Sequence, residues 1–322
     1  MTGAIALAVL CVGACSGSAG TDAEPDESSA GPPVQVVVFT HIEDNSPGGV
    51  LGSEVSRNSY LALRGSLLQM GALAARYRMR WSLEPDWKFL LAALQYETPD
   101  VRASTAGLNL LRFLRDSVGV AIDPHSHEGG GYNYTDVAHL LDSLGVGGST
   151  VIGGHIWDPA LPQFSAWDRF RIPVKGSQYP SATWRGDLLM GSGTPNHVND
   201  PIVSGMWRPR SRDRYFEDDP AGNIGAVGAY TGDLAGVAEL VSLYRARTAP
   251  ATCILTASMP VSPSEITPPG GLASIESTIV KPLAQLRDRG DIALTDFTSL
   301  SATWKRDFGE RVCMYRLGAL TH

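Results

Sequence analysis

Val36-Val37-Val38-Phe39-Thr40-His41-Ile42-Glu43-Asp44-Asn45 is an apolar, β-branched run that ends abruptly in a histidine and two carboxylates. A second run, Val118-Gly119-Val120-Ala121-Ile122, ends the same way in Asp123-Pro124-His125-Ser126-His127-Glu128-Gly129. Parallel α/β barrels present their catalytic groups like this, at the carboxyl ends of buried strands. Clustered His, Asp and Glu also supply the nitrogen and oxygen donors that a divalent ion takes.

Outward from these runs, strand and helix patterns alternate. Residues 34–40 read as a first strand, and Tyr60, Leu63, Leu67, Met70 and Ala74 recur at helical spacing. Residues 78–83 read as a second strand ending in Glu84-Pro85, and residues 87–94 and 108–114 as helices. Residues 118–122 form a third predicted strand, followed by a helical stripe of Val137, Leu140, Leu141 and Leu144. Residues 150–152 form a fourth, leading into Gly153-Gly154-His155. Residues 157–223 are less regular, with short strands expected at 172–174, 187–190 and 202–206. Alternation then returns: a helix through Leu234, Val237, Val241 and Tyr244, a strand over 252–256, a helix through Ile275, Ile279, Leu283 and Leu286 with a kink at Pro282, and a last strand over 291–294.

Such alternation predicts a parallel sheet, and as one domain over residues 34–322 it predicts an irregular (β/α) barrel. A doubly wound open sheet is the alternative. It lacks its fingerprint, because Gly129-Gly130-Gly131 follows the third strand rather than the first and has the wrong spacing; no phosphate-binding Gly-x-x-x-x-Gly-Lys loop occurs either.

The chain has 322 residues and a net charge of −7. With no basic stripe, a nucleic-acid role is disfavoured. Arg208-Pro209-Arg210-Ser211-Arg212-Asp213-Arg214 is followed by Glu217, Asp218 and Asp219 and reads as a loop. Residues 3–13 are apolar but too few to span a bilayer, which takes about 20. They end in Val12-Gly13-Ala14-Cys15, which resembles a bacterial lipoprotein signal, although no Lys or Arg precedes the apolar run. That resemblance implies a signal over residues 1–15, lipidation of Cys15, and a membrane-anchored protein on the periplasmic or extracellular face. Residues 16–33 read as a flexible acidic linker. Cys253 and Cys313 remain, either as one disulfide in an oxidising compartment or as buried thiols.

On extended backbone, residues i and i+2 point the same way. His125 and His127 can then face one ion with Asp123 on the same side; the alternative is a polar loop whose histidines bond carbonyls. His41 and Glu43 share a face likewise, and a turn at Asn45-Ser46-Pro47-Gly48-Gly49 would swing Asp44 inward; the alternative is a solvated polar turn. Glu84, His155 and His197 are further candidates at strand ends and in a polar loop. Trp157, Trp184, Trp207 and Tyr132 fall in or near loops, where their rings could stack on sugars or simply pack. No Gly-x-Ser-x-Gly elbow is present.

These two segments, in this strand order, resemble the polysaccharide deacetylases and, more broadly, the glycoside hydrolase/deacetylase barrel superfamily. The resemblance implies a deacetylase-type barrel in which one Asp and two His hold a divalent ion and a second carboxylate is the base. Carried onto this chain, it makes His125, His127 and Asp44 the ligands and Glu43 the base, with Arg208-Pro209 or Arg171-Ile172-Pro173 a loose match to the family's Arg-Pro motif. Zn is the leading ion, with Ni, Co or Mn as alternatives. Three departures stand out: Glu43-Asp44 replaces two adjacent Asp, the His pair is two apart rather than four, and no late His occurs near Thr256-Ala257-Ser258-Met259. The implied function is a metal-dependent hydrolase of a carbohydrate or cell-envelope polymer, most simply a deacetylase. Two other functions stay open: a glycoside hydrolase pairing Glu43 or Asp44 with Glu84 or Asp123, and a surface lipoprotein that binds glycans without turnover.

Overall fold

A computed structural model describes residues 31–157, 164, 166–191, 202–228, 233–316 and 319–321. The expected signal, linker, Cys15 and His197 lie outside the described residues.

The described strands are β1 (Val34–Ile42), β2 (Ser82–Pro85), β3 (Ala121–Ile122), β4 (Val151–His155), β5 (Val174–Lys175), β6 (Thr183–Trp184), β7 (Leu188–Gly191), β8 (Ser204–Trp207), β9 (Gly225–Val227), β10 (Thr256–Pro260), β11 (Ile292–Thr295), β12 (Cys313–Arg316) and β13 (Ala319–Thr321). The longer helices are α1 (Glu54–Arg76), α2 (Trp87–Tyr96), α3 (Tyr134–Ser143), α4 (Leu234–Arg245), α5 (Lys281–Asp288) and α6 (Phe297–Asp307).

β1 is the hub. Its residues are buried except for the partly exposed His41, as a strand covered on both faces requires. Val34 N–H donates to Asp291 and Asp86 N–H donates to Ile42, so even-numbered residues serve one edge. That edge is divided between β11 along Val34–Val37 and β2 along Phe39–Ile42. The other edge pairs with β10, and β2 pairs with β3, all in parallel.

A second sheet runs β13-β12-β8-β9-β7-β4. Within it, β4, β7 and β9 are mutually parallel, and β8, β12 and β13 are joined antiparallel. Among the described residues the two sheets are hydrogen-bonded to each other on two sides. On one side His125 bridges Gly153 in parallel, and Gly153 N–H donates to Pro124 at 3.0 Å. On the other, Gly205 N–H donates to Thr256 Oγ1 (2.9 Å), and Thr256 N–H donates to Ser204 Oγ (2.8 Å). The result is an irregular (β/α) barrel whose last seam uses side-chain hydroxyls where a ladder would otherwise close it.

Helix α1 buries Tyr60, Leu63, Leu67, Met70 and Ala74, the stripe expected from the sequence. Each large apolar side chain so buried contributes about 1.5–3 kcal/mol. Arg64, on the same helix, is buried with Glu97 at 2.7 Å, and Tyr60 Oη also donates to Glu97.

Several expected bounds are corrected. Residues 252–255 are not strand: Cys253, Ile254 and Leu255 are buried, but the ladder starts at Thr256, and of the three only Leu255 reaches β1, its carbonyl accepting from Gln35 N–H at 2.9 Å. The strand expected over 118–122 shrinks to two residues, because Leu114–Val118 is a π-helical turn ended by Gly119 at φ 86°. The helix through Ile275 and Leu286 is interrupted by a π-helical turn, Glu276–Val280, after which Pro282 sits in the first turn of α5, where its missing N–H costs nothing. The strand near 291–294 is not the last, since α6, β12 and β13 follow. Cys253 and Cys313 form a disulfide that ties the lead-in of β10 to β12.

Candidate metal centre

His41 is the penultimate residue of β1, and the chain turns immediately afterwards, with Ser46 N–H donating to the Glu43 carbonyl at 3.0 Å. Glu43 is thereby brought over the barrel mouth toward the end of β3. His41, Glu43 and His125 offer ligand atoms that all lie within 4.8 Å of one another. Glu43 Oε2 is 3.1 Å from His125 Nε2 and 3.2 Å from His127 Nε2. The His41 and His125 rings are 4.1 Å apart, and His127 meets His125 edge-on at 4.8 Å. Glu84 is in register with His41 across the β1–β2 ladder. It is fully buried, with Oε2 2.9 Å from His41 Nε2 and 3.9 Å from His125 Nδ1.

Burial holds His41 neutral, its pKa pushed down to about 3. Burial alone would raise Glu43, but the hydrogen bonds from His125 and His127 outweigh it and keep that carboxylate ionised well below its ordinary range. His127 moves the opposite way: burial would lower it, yet its bond to Glu43 raises it. Burial raises Glu84, takes Asp86 to about 7, and takes Asp123 to about 8 with help from Glu84.

Buried polar groups are normally hydrogen-bonded. Here His41 Nε2, both Glu84 oxygens, His125 Nδ1 and His127 Nδ1 are buried and make no hydrogen bond of acceptable geometry among the described residues. Imidazole nitrogens and carboxylate oxygens with unused lone pairs, converging from the ends of β1, β2 and β3, fit a divalent ion such as Zn.

Glycines make this convergence possible. A Cβ on Gly153 would lie 2.2 Å from Glu84 Oε2, and one on Gly154 would lie 2.1 Å from His125 Cε1. Gly154 has φ 71° and sits in a register shift of β4, between Ile152 and His155, that presses its backbone onto the His125 ring.

The other expected site residues divide. Asp44 lies outside the three-residue group, its Oδ2 against Gly129. Asp123 is buried and accepts from Ser149 Oγ at 2.6 Å. His155 is buried at the end of β4, its ring 6.0 Å from Tyr215. Tyr132 stacks on Trp87 at 4.6 Å. Trp157 is half-buried and stacks on Tyr215 at 5.6 Å. Trp184 donates to Ser149 at 3.0 Å and therefore lies toward the amino end of β4.

Two expectations are corrected. Trp207 is fully buried, its Nε1 donating to Tyr215 at 2.8 Å, so it packs the second core and offers no face to a ligand. Arg208 follows β8, which runs antiparallel to β9, and so lies at the amino end of the barrel, opposite the histidines. There it pairs with Asp218 at 3.0 Å. The sequence reading missed Asp86, Trp87, Gly153 and Gly154. The signal for the first two was present: Glu84-Pro85-Asp86-Trp87 is a strand end running directly into an Asp-capped helix.

No family model matches the sequence, and no curated protein matches it. A solved structure does share its fold. A probable polysaccharide deacetylase from Pseudomonas aeruginosa PAO1 aligns over 85% of this chain and 91% of its own, at 11% identity and a TM-score of 0.50. Puue allantoinase aligns over 89% and 98%, at 11% identity and a TM-score of 0.48. A 4-alpha-glucanotransferase from Thermococcus litoralis aligns over 84% of this chain but only 38% of its own, at 10% identity and a TM-score of 0.44. At such identities the likeness concerns architecture only: the chain has the deacetylase-type (β/α) fold.

Proposed function

We propose that this chain is a metal-dependent hydrolase acting on an acetylated carbohydrate or cell-envelope polymer. One observation carries the reading: His41, Glu43 and His125 converge at the carboxyl ends of β1 and β3 with buried donor atoms left unsatisfied. These three would hold the ion, with His127 beside Glu43 as a fourth donor. A divalent ion bound there would polarise an acyl carbonyl and acidify a water molecule near neutral pH. Glu43 holds His125 and His127 on one oxygen and so fixes both rings. Asp44, the next residue and outside that group, is the carboxylate left to accept a proton from the attacking water. Lipidation at Cys15 would keep the domain on the exterior face of a membrane, beside such polymers.

The test is the metal content of the purified chain by elemental analysis, beside a His125→Ala/His127→Ala double variant, followed by acetate release from acetylated xylan and chito-oligosaccharides. About one Zn, Ni, Co or Mn per chain, lost in the variant, is expected. No ion in either protein after reconstitution refutes the reading. Acetate release that survives chelation would also refute it, and glycan cleavage that survives chelation would point to paired carboxylates.

A further inference from the structure

Beside the metal centre, two consecutive residues carry buried polar atoms that the fold leaves unused. Asp86 follows β2, and its N–H donates to the Ile42 carbonyl at 2.9 Å, which fixes it alongside Glu43. It is fully buried. One carboxylate oxygen caps α2, accepting from Trp87 N–H at 2.5 Å; the other, Oδ2, has no hydrogen-bond partner among the described residues. Trp87 Nε1 is likewise buried and without a partner. The charged groups that act on Asp86 are those of the site, Asp44, His127 and Glu43.

The indole is held in place. Tyr132 covers one ring face at 4.6 Å and 2°. A Cβ on Gly130 would lie 2.5 Å from Trp87 Cζ2 and 3.2 Å from Nε1, and one on Gly129 would lie 2.1 Å from Asp44 Oδ2. Gly129 and Gly130 are therefore a roof laid directly on Asp44 and Trp87. A buried N–H without an acceptor and a buried carboxylate oxygen without a donor both disfavour the empty fold. Together they complement a hydroxyl group, which donates one hydrogen bond and accepts others.

We propose that Asp86 Oδ2 and Trp87 Nε1 form a subsite that binds a sugar hydroxyl next to the metal centre. This rests on the carbohydrate reading above for the class of ligand, and on the two unsatisfied atoms for the place. Trp87 contributes its N–H, since Tyr132 already covers one ring face and Gly130, having no Cβ, leaves the edge that carries Nε1 clear. Asp86 contributes the oxygen that the helix cap does not use.

The experiment is calorimetric titration of the full chain with penta-N-acetylchitopentaose and with xylohexaose, for the wild type, Trp87→Phe and Asp86→Ser. Trp87→Phe keeps the ring that Tyr132 covers and removes only the N–H. Asp86→Ser keeps a capping oxygen and removes only the unused one. Each variant should weaken binding of at least one oligosaccharide about tenfold or more, and Asp86→Ser should hold or raise Tm. If Asp86→Ser fails to fold, Trp87→Phe carries the test. Absence of binding by the wild type to both oligosaccharides overturns the inference, and so does unchanged binding by Trp87→Phe. Metal content measured on the same preparations keeps the two readings apart: variant-sensitive binding to a chain that holds no metal would sink the hydrolase and leave the hydroxyl subsite standing.

Discussion

Gly154→Ala should disable the candidate metal centre without replacing any of its proposed ligands. The new methyl group would sit 2.1 Å from His125 Cε1 and 2.4 Å from Nδ1. Ordinary carbon contacts begin near about 3.5 Å, so the ring must retreat by roughly 1.4 Å. It has little room for that: His125 is completely buried, and the His41 ring already lies 4.1 Å away. Metal–ligand distances tolerate only about ±0.2 Å. A displacement several times larger removes His125 from the donor set and should weaken ion binding about a hundredfold or more. The backbone adds a separate cost, since φ is 71° and a left-handed alanine costs about 1–2 kcal/mol. Gly290→Ala isolates that second cost, because Gly290 has φ 78° and no atom within 4 Å of the added Cβ. The assay is competition against a chromogenic chelator with Zn, alongside thermal melts of both variants. If Gly154→Ala binds Zn as tightly as wild type, while losing the same Tm as Gly290→Ala, the placement of His125 in the ion's donor set is refuted.

Three further predictions follow from the same geometry. The Cys253–Cys313 disulfide spans a sequence separation of 60 residues, for which loop closure contributes about 4 kcal/mol; the double Ala variant should lose about 2–4 kcal/mol in urea unfolding, and a loss below about 1 kcal/mol would contradict the bond. Arg208→Ala, at the opposite end of the barrel, should cost about 1–3 kcal/mol by freeing Asp218, yet leave Zn content and kcat/KM within about twofold; loss of Zn would overturn the placement. In chelator-treated protein, the raised pKa of His127 gives stability that is full below its ordinary value of 6.5 and is lost as pH rises through the folded value. Zn-loaded protein should slope the other way there, because metal ligands must be deprotonated, and equal slopes in melts from pH 6.5 to 8, above the range in which the lowered His41 contributes, would count against ligation.

The parts of this fold that could be read in the sequence are those where one local pattern has one structural meaning. The stripe from Tyr60 to Ala74 became α1, and Val36-Val37-Val38 became the hub strand. What could not be read depends on partners far along the chain. Whether Cys253-Ile254-Leu255 is strand or buried lead-in is decided by where β1 offers free edge, and Gln35 meets Thr256 first. The antiparallel course of β8 likewise could not be seen in Ser204-Gly205-Met206-Trp207, and it alone moves Arg208 to the wrong end of the barrel for chemistry. At the site, His41, Glu43, His125, His127 and Glu84 were all visible as strand-end residues. The roles of Gly153 and Gly154 were not, because their meaning lies in which side chains press against the missing Cβ.

The two-residue spacing of both pairs carries a further consequence. Donors two apart on extended backbone lie on one face, whereas donors three or four apart need a helical turn to meet. His41 and Glu43 stand two apart across the end of β1, where the turn brings Glu43 over the barrel mouth, and His125 and His127 stand two apart just beyond β3, with Glu43 Oε2 within 3.2 Å of both histidines. The site is therefore gripped by two strand ends and not by a helix. Strand ends are positioned by their neighbours in the sheet, so the site depends on everything that fixes the β1–β2–β3–β4 register. The His125–Gly153 bridge is the last and weakest of those links, since β3 contributes only two ladder residues to the sheet. That is why a glycine of β4 that touches no ion should matter as much to the metal centre as a ligand does.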